Sequence, residues 1–268
     1  DWKRKTITQQ QLFEARKEGF APVIYHGVKD ESALKAARAQ LLYKPIVIQT
    51  AARFNLINKT KVYTYYAKVD ELVDQKQHEM LEIWKQSWSA HGWEPVVIGP
   101  RDAEEHPWHS FIQSLFAGFP TTNPKAYELA CWMRWVAMSL CGGMMVDYDV
   151  LNFGFTPDML PANPGNYASI LADNNPCPCA VHGTSKQYDN TARLFLEHKP
   201  VEGQHISDQN LIQQEAAKFR PYIFDLCPEY TAKGWKTAKM VHFSHGSCHG
   251  KDRLEIMRNA KSLRLEVA

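Results

Sequence analysis

The chain has 268 residues, a formal net charge of +2, and 44% hydrophobic and 12% aromatic residues. That is enough apolar material for one large α/β domain with a substantial core, which excludes a disordered chain. The near-neutral balance excludes nucleic acid as the principal partner, and the absence of a run of about 18 apolar residues excludes a membrane span in the sequence given.

Residues 1–58 read as an N-terminal extension on a main domain over 59–268, with helices at 9–18 and 31–42 and strands at 22–25 and 45–50. β-Branched and aromatic residues predict a strand over 61–67. A helix over 69–90 follows, then a strand over 94–98 closed by Gly99-Pro100. Strand, helix, strand is a βαβ unit, right-handed by default. A helical piece at 110–117 leads to Asn123-Pro124, read as N-cap and first helical position. Ala126, Leu129, Ala130, Met133, Val136, Ala137 and Leu140 then recur at steps of three and four, giving one core face. Gly142 ends this helix, and Met144 to Val146 form a short buried strand.

Asp147 and Asp149 emerge at that strand's carboxyl end, the edge of an open α/β sheet where ligands bind. Two carboxylates one residue apart suit a hard divalent cation, which takes one or two protein carboxylates and leaves positions for substrate phosphates. Two acidic residues in a surface turn are also common, so the tripeptide alone decides nothing. Arg134 lies 13 residues before Asp147 (147 − 134) on the preceding helix. Its guanidinium either reaches back to the acidic pair or stays exposed with its stem over Trp132 or Trp135.

Further on, 166–172 and 177–182 read as strands and 186–198 as a helix, with Gly183-Thr184-Ser185 either a small-residue turn suited to close approach by a ligand or simply a turn with Ser185 as cap. His205 to Gln209 marks another helix start, with Ser207 or Asp208 as N-cap. His242, His245 and His249 fall within eight residues, suiting a metal cluster, a base or solvated loop histidines. Cys131, Cys141, Cys177, Cys179, Cys227 and Cys248 read as reduced: Cys131 and Cys141 stand about 15 Å apart along a helix, too far to bridge. Cys177-Pro178-Cys179 with His182 supplies three potential ligands but no completed zinc pattern. Asn58-Lys59-Thr60 is a short glycosylation acceptor pattern that fixes no compartment. The N-terminus is not a signal peptide, so the chain reads as soluble, either cytoplasmic or a catalytic domain trimmed of a Golgi or other membrane anchor.

The ungapped block from Arg134 through Gly142-Gly143 to Asp147-Tyr148-Asp149 resembles GT-A glycosyltransferases, closest to the group with a "DXD sugar-binding" region (family 32-like). That group includes yeast-type mannosyltransferases, capsular polysaccharide enzymes and the clostridial glucosylating toxins. The resemblance implies a nucleotide-diphospho-sugar transferase fold, a Rossmann-like mixed sheet flanked by helices. It implies Mn²⁺ or Mg²⁺ on Asp147, Asp149 and His242, with Arg134, Asp147, Asp149 and Ser247 meeting the donor. Thr64 and Tyr65, near the end of the first strand, would meet the nucleoside. Asp208 and Gln209 resemble the element that opens a helix beneath the donor sugar, and Asp208 is the base candidate should the reaction invert. Two departures stand out: Cys131 where the family commonly has Asp, and Cys248 where it has Trp, with His249 beside it as a substitute.

The expected activity is transfer of a sugar from a nucleotide-diphosphate sugar, UDP rather than GDP, to a hydroxyl of a glycan or glycoprotein, with retention as in most of the resembled group. Departure of the diphosphate requires positive groups in a site shielded from water. Two other classes compete. A haloacid-dehalogenase-like phosphatase also uses Asp-X-Asp after an apolar strand, but early in its chain and without the Leu151-Asn152 that follows here. A non-catalytic carbohydrate-binding protein of the same fold is the other.

Overall fold

A computed structural model describes residues 60–69, 71–160, 168–172, 175–197, 205–214, 223–224 and 227–265. The chain divides between Pro45 and Ile46, and every described residue belongs to the second unit. The helices expected at 9–18 and 31–42, the strands at 22–25 and 45–50, the boundary at 58 and Asn58 lie outside the described residues.

In chain order the elements are β1 (Lys61–Tyr65), α1 (Glu71–Ser89), β2 (Glu94–Ile98), α2 (Pro100–Glu104), α3 (His109–Phe116), α4 (Lys125–Cys141), β3 (Gly143–Val146) and β4 (Val150–Asn152). A 3₁₀ turn (Pro157–Met159) precedes β5 (Ala168–Ala172), β6 (Asn175–Gly183), α5 (Ser185–Glu197), α6 (Asp208–Gln214), β7 (Ile223–Phe224), β8 (Met240–His242) and α7 (Arg253–Leu265). The architecture is mixed α/β, a mixed sheet flanked by helices. Six strands run in the order β2-β1-β3-β6-β5-β7, and β4 and β8 form a separate pair. β1 is parallel to both β2 and β3, whereas β6 is antiparallel to β3 and β5. Among the described residues no helix is long and apolar enough to cross a membrane.

Two tryptophans anchor the strand that follows the acidic pair. Trp84 and Trp88 on α1 are wholly buried, and Trp88 donates its indole N–H to the Val150 carbonyl at 3.0 Å. Trp93 donates to the Phe155 carbonyl at 2.7 Å and stacks on its ring at 5.9 Å between centroids. A buried indole needs a partner for its N–H, so these bonds set the register of β4 as well as filling the core. Asn152 closes the turn beyond β4, its amide oxygen accepting from the backbone N–H of Gly154 and Phe155.

α4 packs through Trp132 against Phe116 and Phe119, and through Trp135 against Tyr188 of α5. Its end is dictated by Gly142, at φ +65°, where a Cβ would lie 2.9 Å from the Ser185 backbone nitrogen. Only glycine fits that approach, and Gly143 at φ +103° follows. The turn aims the chain directly into β3, so Asp147 and Asp149 follow the buried Met144 to Val146.

Several local readings shift by a residue or two. α4 starts at Lys125 with Pro124 as its N-cap, because the Asn123 amide turns instead to Glu128 Oε1 at 2.5 Å. Thr184 caps α5 in place of Ser185: it shares a reciprocal box with Gln187, whose side chain accepts from the Thr184 N–H at 2.8 Å. Ser207 caps α6, accepting from the Asn210 N–H at 3.1 Å, and Asp208 is the first helical residue. α2 was not expected, since Gly99-Pro100 reads as a turn. Proline is well suited to a first helical position, and Asp102 accepts from the Gly99 N–H at 2.7 Å.

Candidate functional site

The acidic pair sits where three segments converge. Pairing of β3 with β6 puts the Asp147 N–H on the Cys179 carbonyl at 2.8 Å. Pairing of β4 with β8 sets Val150 opposite His242, so that the imidazole stands beside Asp149. The Phe243 N–H bonds to the Asp149 carbonyl at 2.9 Å and the His242 N–H to the Pro228 carbonyl at 3.0 Å, drawing in the segment that carries Glu229. α4 supplies Arg134 from the side opposite α7 in sequence, which supplies Arg253.

Each carboxylate holds one guanidinium. Arg134 Nη1 donates to Asp147 Oδ1, and Arg253 Nη1 to Asp149 Oδ2 at 2.7 Å. Arg134 is 7% exposed, so it does not lie in solvent, although its guanidinium does stand over the Trp135 ring, 5.8 Å from the centroid. Its other edge binds Asp208, with Nε 3.0 Å from Oδ2. The same oxygen accepts from Trp135 Nε1 at 3.0 Å, and Asp208 Oδ1 accepts from the Gln209 N–H at 2.7 Å. Asp208 is therefore a buried carboxylate with donors on both oxygens that holds Arg134 in place.

His242 is oriented from behind. Its Nδ1 lies 2.7 Å from Glu229 Oε1, leaving Nε2 to face Asp149 Oδ1 at 3.4 Å. A carboxylate on one ring nitrogen fixes the tautomer and turns the other nitrogen toward a ligand. Burial pushes the Glu229 carboxyl up, yet His242 and the hydroxyls of Ser244 and Ser247 outweigh it and hold it low. Ser247 thus reaches the site through Glu229.

Burial raises the Asp147 carboxyl to about 7; Arg134 pulls against the rise and Asp149 adds to it. Asp149 goes the other way: burial is outweighed by His242 and Arg253, which hold it low. His242 is raised well above the ordinary histidine value, Cys179 and Asp149 overcoming burial.

Among the described residues the ligand atoms of Asp147, Asp149 and His242 lie within 4.8 Å of one another. Arg134 takes Oδ1 of Asp147 and Arg253 takes Oδ2 of Asp149, so one oxygen of each carboxylate is left for a cation. Two carboxylates and an imidazole are a donor set that Mn²⁺ or Mg²⁺ accepts, so the residues fit the ion that the sequence resemblance implies.

Arg134, Asp147, Asp149, His242 and Asp208 come together, with Gln209 and Ser247 at one remove. Thr64 and Tyr65 do not join them. Thr64 is wholly buried on β1, and Tyr65 lies toward α2, its phenol raised by burial, Asp102 and Glu104. Tyr66 takes the position nearer the pair, its ring 6.1 Å from Tyr148 and 5.2 Å from His78. Cys248 is core, and His249 is exposed at φ +50°.

Four participants carry no local sequence signal: Glu229, Arg253, Tyr127 and the Cys177–Cys179 pair as a partner of His242. Tyr127 is 51% exposed, and its phenol is raised by Cys131 first, then by burial and Asp147. It is the exposed aromatic ring bordering the cluster. Cys177 and Cys179 meet His242 rather than His182, because strand residues alternate faces and His182 falls an odd step from both. All six cysteines are free thiols.

Residues 51–168 match the family profile of a domain of unknown function (DUF8765). The matched span contains Arg134, Asp147 and Asp149 and ends before Asp208, His242 and Arg253. No curated protein matches the chain.

Proposed function

We propose that the chain is a metal-dependent GT-A glycosyltransferase that moves a sugar from a nucleotide-diphosphate sugar, UDP in preference to GDP, to a hydroxyl of a glycan or glycoprotein. The observation that carries this reading is the convergence of two guanidinium groups, Arg134 and Arg253, on Asp147 and Asp149 beside His242 at the carboxyl end of β3. A diphosphate leaving group needs such positive groups in a partly desiccated cleft. The mixed sheet flanked by helices is the coarse architecture that the reading requires.

Asp147, Asp149 and His242 would hold Mn²⁺ or Mg²⁺, which would supply positive charge to the departing diphosphate. Arg253 offers paired N–H donors to phosphate oxygens beyond its Nη1 contact with Asp149, a geometry lysine does not provide, and Arg134, committed to Asp147 and Asp208, supplies positive charge beside it. Asp208 acts as a positioning residue: with donors on both oxygens, it keeps Arg134 aimed at Asp147. A carboxylate engaged by Arg134 and Trp135 is poorly placed to act as a general base, which supports a retaining course in which the leaving phosphate accepts the proton of the acceptor hydroxyl. Tyr127 offers a ring against which a sugar face can lie.

The phosphatase reading requires its first Asp as an unencumbered nucleophile, whereas Asp147 is tied to Arg134. A panel of nucleotide sugars screened for protection against thermal unfolding with Mn²⁺ present tests the proposal. Preferential protection by one UDP-sugar supports it, since a ligand that binds the native state raises apparent stability. No protection by any UDP- or GDP-sugar would overturn it.

A further inference from the structure

The imidazole of His242 faces sulfur as well as oxygen. Cys177, Cys179 and His242 place their ligand atoms within 4.8 Å of one another, a second metal-competent group built on the same ring. The geometry follows from the strand. Cys177 and Cys179 are two apart on β6, so both thiols share one face. The register carries that face to Asp147, since Met145 pairs with Val181 and the Asp147 N–H bonds to Cys179. Cys177 contacts both Cys179 and His242, and Cys179 also contacts Cys227, a wholly buried thiol.

We propose that Cys177, Cys179 and His242 form a thiophilic-metal site, suited to Zn²⁺, with Cys227 as a third sulfur behind Cys179. Three sulfurs and one imidazole nitrogen are a donor set that closed zinc sites use, and soft thiolates discriminate against Mg²⁺ and Mn²⁺. A second observation points to a ligand at this place. The Glu229 carboxylate on His242 Nδ1, at 2.7 Å, is the outer support that zinc-binding histidines characteristically have. Each thiol that ligates gives its proton to solvent, and the cation takes the lone pair of Nε2. One nitrogen serves one ion, so occupation from the sulfur side leaves the carboxylate pair with two protein ligands. The site stands independently of sugar transfer.

The test uses the full chain, stripped of metal and held under a non-thiol reductant, with Co²⁺ as the probe. One equivalent of Co²⁺ is expected to give the intense visible bands of a tetrahedral ion and a thiolate-to-cobalt charge-transfer band in the near ultraviolet. That band is lost in Cys177→Ser and Cys179→Ser and persists in Asp147→Asn. A weak octahedral spectrum with no charge-transfer band in the wild type would overturn the site. So would retention of the band in both cysteine variants. Should those variants not fold, wild-type alkylation decides. With Zn²⁺ tenfold above its dissociation constant, labelling of Cys177, mapped by peptide mass, is expected to slow about tenfold. Labelling unchanged by Zn²⁺ overturns the proposal.

Discussion

Glu229 Oε1 sits 2.7 Å from His242 Nδ1, and this contact decides which ring nitrogen faces Asp149. The two residues are joined by the bridge between Glu229 and His242 and by the Tyr230 N–H to the His242 carbonyl at 2.8 Å. The imidazole is thus fixed by backbone and side chain together.

Glu229→Gln keeps the shape and removes the charge behind the ring. The expected result is a loss of Mn²⁺ affinity of about 10- to 100-fold, the usual consequence of removing such an outer partner. Isothermal titration of the metal-free protein measures it, and circular dichroism checks that the fold is kept. Unchanged affinity would mean that His242 is not a ligand.

Arg134→Ala leaves Asp208 and Asp147 without their common partner, Asp208 in a buried position. Breaking a buried pair from one side costs roughly 3–5 kcal/mol. Denaturant unfolding is expected to show a loss of that order. Asp208→Asn is expected to lower both stability and turnover, as befits a residue that positions Arg134. A turnover collapse with stability unmoved would instead assign it the role of base.

Gly142→Ala introduces a Cβ 2.9 Å from the Ser185 nitrogen at φ +65°. Strain of about 1–3 kcal/mol follows, read as a lowered unfolding midpoint. Gly118→Ala is the control, because its Cβ would meet only the Leu115 carbonyl at an ordinary 3.7 Å.

Acid stability has a local source at Asp189. Its Oδ2 accepts from Arg193 Nε at 2.7 Å and its Oδ1 faces His106 Nε2 at 3.5 Å, while Arg193 also covers the Trp108 ring. Burial works to raise this carboxyl, but His106 and Arg193 outweigh it and hold it low. A depressed folded-state value means that the contribution is fully present above the unfolded value of about 3.9 and is lost as pH falls through the folded one. With the carboxylate 22% exposed, its size is about 1 kcal/mol or less. Asp189→Asn is expected to lower stability near neutrality and to flatten the acid limb of the unfolding midpoint below about pH 4.

The helix, glycine and strand around the acidic pair were legible because each signal is local: a 3.6-residue repeat, a glycine at its end and a short apolar run. Arg134 was legible for the same reason, lying one helix away from its partner. Glu229 and Arg253 were not, for they arrive through an irregular segment and a terminal helix whose sequences carry no mark of what they meet. Asn123 misled because its amide serves the buried Glu128 rather than the helix end. His182 misled because proximity in sequence ignores the alternation of a strand, which turns Cys177 and Cys179 toward His242 instead.

Metal-dependent transfer through the acidic pair is the proposed activity. Its most direct measurement is nucleotide release from UDP- and GDP-sugars with and without Mn²⁺, compared between the wild type and Asp149→Asn with matched circular dichroism. The wild type is expected to release UDP in a Mn²⁺-dependent manner, and the variant to lose that release. Release that is equal in the two proteins, or phosphate freed from simple phosphate esters with no UDP from any sugar donor, would contradict it.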